Sequence, residues 1–290
     1  MLETHCDSLI RYVEFLKSKG PIQEKTRYGD WMSVAQDWVR GDPASSSSMF
    51  YYYNLVILVK VLDVLGRKEE KEQYERLKDQ VKAAIQDSFY DAEEKGFDAN
   101  TQFCLSMALM LGLIPKEDEH AILERLVADV EAHEYHLTTG IFGTKYIMEV
   151  LRDFGRQDVA MKLILQKTYP GWMNMIEGRT TLPERWDGEA VQSQSHCMFG
   201  SVGGIFYSML AGIRVGEEIV IEPYYAQELS HVKACLKLNT GTISVMWQRR
   251  EGKVYTTVAL TGDVEAVLKC AGKSQKVGQG RYVFEAAHAQ

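Results

Sequence analysis

The apolar pattern of this chain changes period once, near Arg214-Val215-Gly216, and that change limits the fold to a helical part followed by a β part. Before it, apolar residues recur every three or four positions, as Leu2, Cys6, Leu9, Val13 and Leu16 do at the start. After it they alternate: Ile219 and Ile221; Ile243, Val245 and Trp247; Val254, Val258 and Leu260; Val264, Ala266 and Leu268; Tyr282 and Phe284. Turn signals (Asn239-Thr240-Gly241, Glu251-Gly252, Thr261-Gly262-Asp263, Gly278-Gln279-Gly280) separate these runs, as expected of a small antiparallel β-sandwich. The expected domains are therefore 1–214, mainly α, and 215–290, β. A length of 290 residues suits about two domains.

Within the first part, a helix from the N-terminus to Lys19 is stopped by Gly20-Pro21, and a polar loop with Tyr28-Gly29-Asp30-Trp31 follows. The serines at 45–48 are placed to cap a helix carrying Tyr51, Leu55, Leu58, Val59 and Leu62. Further helices are predicted around Tyr74–Ile85 and over 101–111, 117–133, 143–153 and 156–167. A last one, about 197–212, holds Gly200, Gly203 and Gly204 and is expected to be inner and buried, since each glycine costs about 1 kcal/mol in a helix unless packing compensates. Amphipathic helices alternate with almost wholly apolar ones. An outer ring around an inner ring gives that alternation; a plain bundle is the competing account. Helical spacing from the first residues, without a cap or preceding turn, suggests a chain cut from something longer.

Charge narrows the partners. A net charge of −7, a pI of about 5.6 and the absence of a basic stripe argue against nucleic acid and anionic membranes. No apolar run approaches the ~20 residues of a membrane span. Five cysteines (Cys6, Cys104, Cys197, Cys235, Cys270) are odd in number and lack a Cys-x-x-Cys pair, so free thiols and a reducing, cytoplasmic compartment are favoured.

The strongest chemical candidate is Thr180-Thr181-Leu182-Pro183-Glu184-Arg185-Trp186-Asp187-Gly188. Pro183 lacks an N–H and fixes its φ, which places Glu184 in a loop. A carboxylate beside a cation (Arg185) and an indole (Trp186) is equipment for a sugar site. A surface Glu with an incidental Trp neighbour is the alternative. Asp30, Trp31, Trp172 and His196 could join Glu184 if loops at one end of a helical toroid converge. Taken singly, Asp30 also suits a loop cap and His196 a structural hydrogen bond. His133 and His136, three apart, lack a third ligand, so no metal site is expected. Gly200-x-x-Gly203-Gly204 does not follow a strand and makes a poor phosphate loop. Cys197 beside His196 is a poor nucleophile pair.

The ordered set Gly29-Asp30-Trp31, Leu137–Thr144, Thr180–Gly188, Ser195-His196, Gly200-Ser201-Val202, Leu210–Ile213 and Gly280–Phe284 resembles the bacterial α-L-rhamnosidase family of glycoside hydrolases. The resemblance spans nearly the whole chain. It implies an (α/α)6 toroid, here incomplete, followed by the β-sandwich, and inverting hydrolysis of terminal α-L-rhamnosides without a cofactor. Glu184 matches the catalytic base. Trp31, Trp186 and His196 match rhamnose-holding positions, and Asp30, Trp172 and Arg185 are expected to bind the substrate with them. Two departures matter. Pro183 stands where the family often has Trp, and the family's general acid lies in an acidic motif upstream of this chain. About eight helices are expected here against twelve in a complete toroid, so the chain alone is expected to be inactive or nearly so. The rhamnose-containing substrate would then meet half of a catalytic pair. A non-catalytic carbohydrate-binding or scaffold module, another glycosidase on the same toroid, or a polysaccharide lyase are the alternatives.

Overall fold

A computed structural model describes residues 1–24, 28–34, 43–189 and 192–287. The chain divides into two compact units, Met1–Phe154 with Lys162–Phe199, and Gly155–Met161 with Gly200–Gln290.

The first unit contains α1 (Leu2–Lys17), α2 (Pro43–Val64), α3 (Lys68–Phe89), a two-stranded ribbon of β1 (Tyr90–Asp91) and β2 (Gly96–Phe97), α4 (Gln102–Met110), α5 (Glu119–Ala132) and α6 (Gly143–Asp153). The residues of α7 (Gln157–Ile164) are divided between the units, and the short α8 (Trp172–Met175) belongs to the first. Burial follows the expected alternation. In α3 only Tyr74, Val81 and Ile85 are buried, a single stripe on an otherwise charged helix, whereas α4 is buried from Gln102 to Leu109. Neighbouring helices pair (α1 with α2, α2 with α3, α4 with α5), and the well-buried ones also pack on each other, α2 on α4 and α4 on α6. That is the contact pattern of side-by-side helical hairpins with an inner row. Thr101 caps α4 by accepting the Cys104 N–H at 3.2 Å, which satisfies one of the amides that the first turn leaves without a partner.

Two expectations fail in instructive ways. The serines do not cap α2; Ser45, Ser46 and Ser48 lie inside it and are buried. Ser45 Oγ donates to Asp98 at 2.6 Å and Ser48 Oγ accepts the Gln23 N–H at 2.9 Å, so these hydroxyls tie loops to the inner helix. The glycine-bearing segment is not one buried helix either. It breaks into a 3₁₀ turn (Met198–Ser201), a short α9 (Val202–Ile205) and a π turn (Phe206–Leu210). Phe206 and Tyr207 are exposed, while Phe199, Ile205, Met209 and Leu210 are buried. With three glycines and few side chains to pack, nothing holds the segment to one hydrogen-bond period.

The second unit carries two four-stranded sheets. One has the order β10 (Gly280–Ala287), β7 (Lys253–Gly262), β6 (Gly241–Arg250), β5 (His231–Leu238), all antiparallel. The other has the order β3 (Ile213–Val215), β4 (Ile219–Ile221), β8 (Ala266–Cys270), β9 (Lys273–Val277), and here β4 and β8 run parallel, a correction to the expected wholly antiparallel β part. Both sheets contribute to one core that includes Ile213, Ile221, Ile243, Val245, Val258, Leu260, Leu268 and Phe284. Each such aliphatic or aromatic side chain stabilises by about 1.5–3 kcal/mol when fully buried. Trp247 is also fully buried, edge-on to Tyr225 with ring centroids 5.6 Å apart, and its indole N–H reaches Leu210 O at 2.8 Å.

All five cysteines are free thiols. No helix among the described residues is long and apolar enough to cross a membrane.

Gly212 joins the π turn to β3 with φ +70°, and a Cβ there would lie 2.1 Å from the Glu222 carbonyl carbon. Gly212→Ala combines a left-handed backbone with a backbone clash, and it is expected to destabilise the protein by more than about 2 kcal/mol. Urea unfolding followed by Trp247 fluorescence measures this; a loss below 1 kcal/mol would mean that the Gly212–Glu222 approach is looser than described.

Candidate active site

The site is assembled from three stretches of the first unit: the loop with Asp30 and Trp31, the turn Thr138–Gly143 leading into α6, and the loop around Glu184. The start of α6 explains the first junction. Amides at a helix start lack intrahelical acceptors, and their aligned dipoles favour a negative charge. Asp30, far off in sequence, supplies it. Its Oδ2 accepts the Gly140 N–H at 2.6 Å, and its Oδ1 accepts those of Phe142 at 3.2 Å and Gly143 at 2.9 Å. The carboxylate is buried, with only 5% of the residue exposed. Burial pushes its carboxyl up from 3.8 to about 6 even though the three amides pull the other way.

The main chain tightens the same junction. Ile141 N donates to Trp31 O at 2.8 Å, and Val34 N to Thr138 O at 3.3 Å. Gly140 is required by this approach, since a Cβ on it would fall 1.9 Å from Trp31 O. Thr144 Oγ1 donates to Gly140 O at 2.7 Å and closes the turn from the helix side.

Trp31 then reaches the third stretch. Its indole N–H donates to Glu184 Oε1 at 3.1 Å, while the Ser193 N–H approaches Oε2 at 3.4 Å. Two donors on the two oxygens fix the plane of the carboxylate. The loop carrying it is built around the missing donor of Pro183: His196 N bonds Leu182 O at 2.7 Å and Glu184 N bonds Ser193 O at 2.9 Å, on either side of the proline. Leu182–Glu184 and Ser193–His196 are thereby paired, and Glu184 and His196 share one loop end. The His196 Nδ1 accepts the Met198 N–H at 3.5 Å.

Of the residues singled out from the sequence, the structure thus joins Asp30, Trp31, Glu184 and His196. It places three others differently. Trp186 and Trp172 are buried, 3% and 5% exposed, and both indole N–H groups are engaged, with Thr139 O at 2.8 Å and Phe199 O at 3.0 Å. With Phe199 they form an aromatic cluster, ring centroids 5.4 and 4.2 Å from Trp186, behind the site loops. Arg185 is held by Asp187 and, at 3.1 Å, by Glu189 within its own loop. Asp30 likewise acts as a buried cap rather than an exposed ligand group. His133 and His136 bond backbone carbonyls and Thr168, and no cluster of metal-ligating side chains occurs among the described residues.

Sequence reasoning missed the structural role of Thr138–Gly143, whose signal was the pair Gly140 and Gly143 before an amphipathic helix. It also missed Tyr28, which meets the Trp31 ring edge-on at 4.6 Å. Tyr28 and Gly29 line a cavity of about 880 Å³ with Phe15, Phe50, Tyr51 and Phe142. Trp31, Glu184 and His196 do not line that cavity, which approaches them through Tyr28; together they offer an oriented carboxylate, a partly exposed indole and an imidazole, groups suited to binding a sugar and removing a proton from water.

Comparison with known proteins gives a consistent result. Residues 1–210 match the bacterial alpha-L-rhamnosidase 6 hairpin glycosidase domain. The chain is 30% identical over 271 residues to an α-L-rhamnosidase of Streptomyces avermitilis, covering 89% of this chain and 26% of that protein. It is 26% identical over 289 residues to an α-L-rhamnosidase of Formosa agariphila, covering 93% of this chain and 31% of that protein. Among solved structures, the α-L-rhamnosidase from Dictyoglumus thermophilum superposes with a TM-score of 0.92 at 31% identity, over 99% of this chain and 37% of its own. The Streptomyces avermitilis α-L-rhamnosidase complexed with L-rhamnose gives 0.90 at 26% identity, over 98% of this chain and 31% of its own. The chain therefore spans about a quarter to a third of the length of the curated relatives it matches.

The Asp30 carboxyl yields a pH prediction. Its folded value of about 6 lies above the ordinary 3.8, so the folded state holds the proton more tightly. The stability it contributes is full below the ordinary value and is lost as pH rises through about 6, a change of about 3 kcal/mol. Asp30→Asn cannot titrate and loses the acceptor for Gly140. Its penalty is expected to be largest near pH 4 and to shrink by about 3 kcal/mol toward pH 7. Urea midpoints of both proteins across that range check this, and a constant difference would contradict it.

Proposed function

The chain belongs to the bacterial α-L-rhamnosidase six-hairpin glycosidase family, and from that premise we propose that it forms part of an enzyme hydrolysing terminal α-L-rhamnosides with inversion, with Glu184 as general base. The observation that carries the reading is the indole-to-carboxylate bond from Trp31 to Glu184 at 3.1 Å, which joins a stacking surface to an oriented base. Glu184 takes a proton from a water as that water attacks the anomeric carbon, on the face away from the leaving group. A carboxylic acid on the other face protonates the leaving oxygen, roughly 6.5–9.5 Å from the base so that the water fits between them.

Trp31 covers the apolar side of the rhamnose ring and His196 hydrogen-bonds its hydroxyls. Trp186 and Trp172 support these loops from behind, Arg185 steadies the loop edge, and Asp30 anchors Trp31. Residues 1–214 form part of the (α/α)6 toroid and 215–290 the closing β-sandwich. The general acid comes from polypeptide outside this chain, so the chain by itself turns over ordinary rhamnosides poorly, since acid assistance contributes about 10²–10⁴-fold. No cofactor takes part.

A dinitrophenyl α-L-rhamnoside, whose leaving group needs little protonation, isolates the base step. The expected result is slow release of β-L-rhamnose, observed by NMR, reduced at least about 10²-fold in Glu184→Gln. Release of the α anomer would remove inversion, and undiminished release by Glu184→Gln would remove the base assignment. Rhamnose binding by calorimetry without any turnover would instead favour a carbohydrate-binding module.

A further inference from the structure

The site residues form a chain of support with one end buried. Thr138–Gly143 is gripped on one side by Asp30 and by the Trp31 carbonyl, through bonds to Gly140, Phe142, Gly143 and Ile141. On its other side it receives Trp186, whose indole N–H bonds Thr139 O at 2.8 Å and which is two residues from Glu184. The Trp31 indole and the Glu184 carboxylate thus meet at 3.1 Å because both of their loops are fastened to the same six residues. The tight fit of Gly140 against Trp31 O leaves little slack in this fastening.

We propose that Asp30 is the positioning residue of the Glu184 site, holding Thr138–Gly143 as a platform that sets the Trp31 indole on the Glu184 carboxylate. The inference rests on Glu184 being the base and adds to it the means of placement. A cap that only stabilised α6 would leave the indole–carboxylate pair unchanged in any variant that still folds. A positioning residue transmits its loss to that pair, through Trp31 on one side and Thr139 with Trp186 on the other.

The indole N–H signals of the ¹⁵N-labelled chain read this directly, since the sequence holds only five tryptophans. The Trp31 signal is the one absent from Trp31→Phe, and it shifts in Glu184→Gln. In Asp30→Asn the Trp31 signal is expected to move the same way as in Glu184→Gln, and its exchange with solvent to quicken by about tenfold or more, the loss of a charge-assisted bond. The Trp172 signal, whose N–H bonds Phe199 O, stays in place and reports that the unit is folded. If Asp30→Asn does not fold, Trp186→Phe keeps an aromatic side chain, loses the bond to Thr139 together with the second ring of the indole, and is expected to shift the Trp31 signal through the platform. A folded Asp30→Asn or Trp186→Phe protein with an unmoved Trp31 signal overturns the proposal, as does a Trp31 signal indifferent to Glu184→Gln. The turnover of Glu184→Gln fails separately: retained turnover with these shifts present would end the catalytic meaning of the pair and not its placement.

Discussion

The buried carboxylate of Asp30 is the constraint on which the site depends. A helix start needs acceptors for its first amides, and the turn into α6 offers Gly140, Phe142 and Gly143 to one side chain from more than a hundred residues earlier. Desolvation opposes this placement, as the raised carboxyl shows, and three amide donors offset it. Removing the acid would leave three inward-facing donors with nothing to bond, which costs more than the pairing itself contributes. One polar contact thus closes a long loop onto the inner helical row and fixes the indole next to it.

The tryptophans extend the same logic. Trp31, Trp172, Trp186 and Trp247 each donate the indole N–H to a protein oxygen, respectively Glu184, Phe199, Thr139 and Leu210. A buried indole contributes a large apolar area and demands one acceptor, so it fixes both a distance and a direction. Three of these acceptors are backbone carbonyls, which hold segments of chain in register. The fourth is a carboxylate at a partly exposed loop, and only there does the bond orient a group able to react.

Much of this was legible in the sequence, because the signals were local. Apart from the short ribbon β1–β2, the strands begin at Ile213, close to the change of period, although the compact units divide earlier, at Gly200; Pro183 placed Glu184 in a loop. What was not legible depended on distant partners. The serines of α2 have the composition of a cap, yet Asp98 and Gln23 draw them into the interior. Trp186 has the look of a sugar platform, yet Thr139 and Phe199 enclose it. The parallel pairing of β4 with β8 joins strands more than forty residues apart, which alternation alone does not encode. Strand β5 is absent from the sequence reading although Val232, Ala234, Leu236 and Leu238 alternate with Lys233, Cys235 and Lys237; the lysines disguised an edge strand, where charges are common.

The glutamate loop shows why a reactive group can sit outside regular structure and still be well placed. Pro183 cannot donate, so no central strand could run through it, but the bonds on either side of it need no donor there. Leu182 accepts from His196 and Glu184 donates to Ser193, which brings the base and the imidazole to the same loop end. The side chain of Glu184 is then held from the opposite direction by Trp31, whose own position derives from Asp30. Backbone pairing fixes where the carboxylate begins, and the indole fixes where it points. A loop needs both, because neither a helix nor a sheet is present to supply the second.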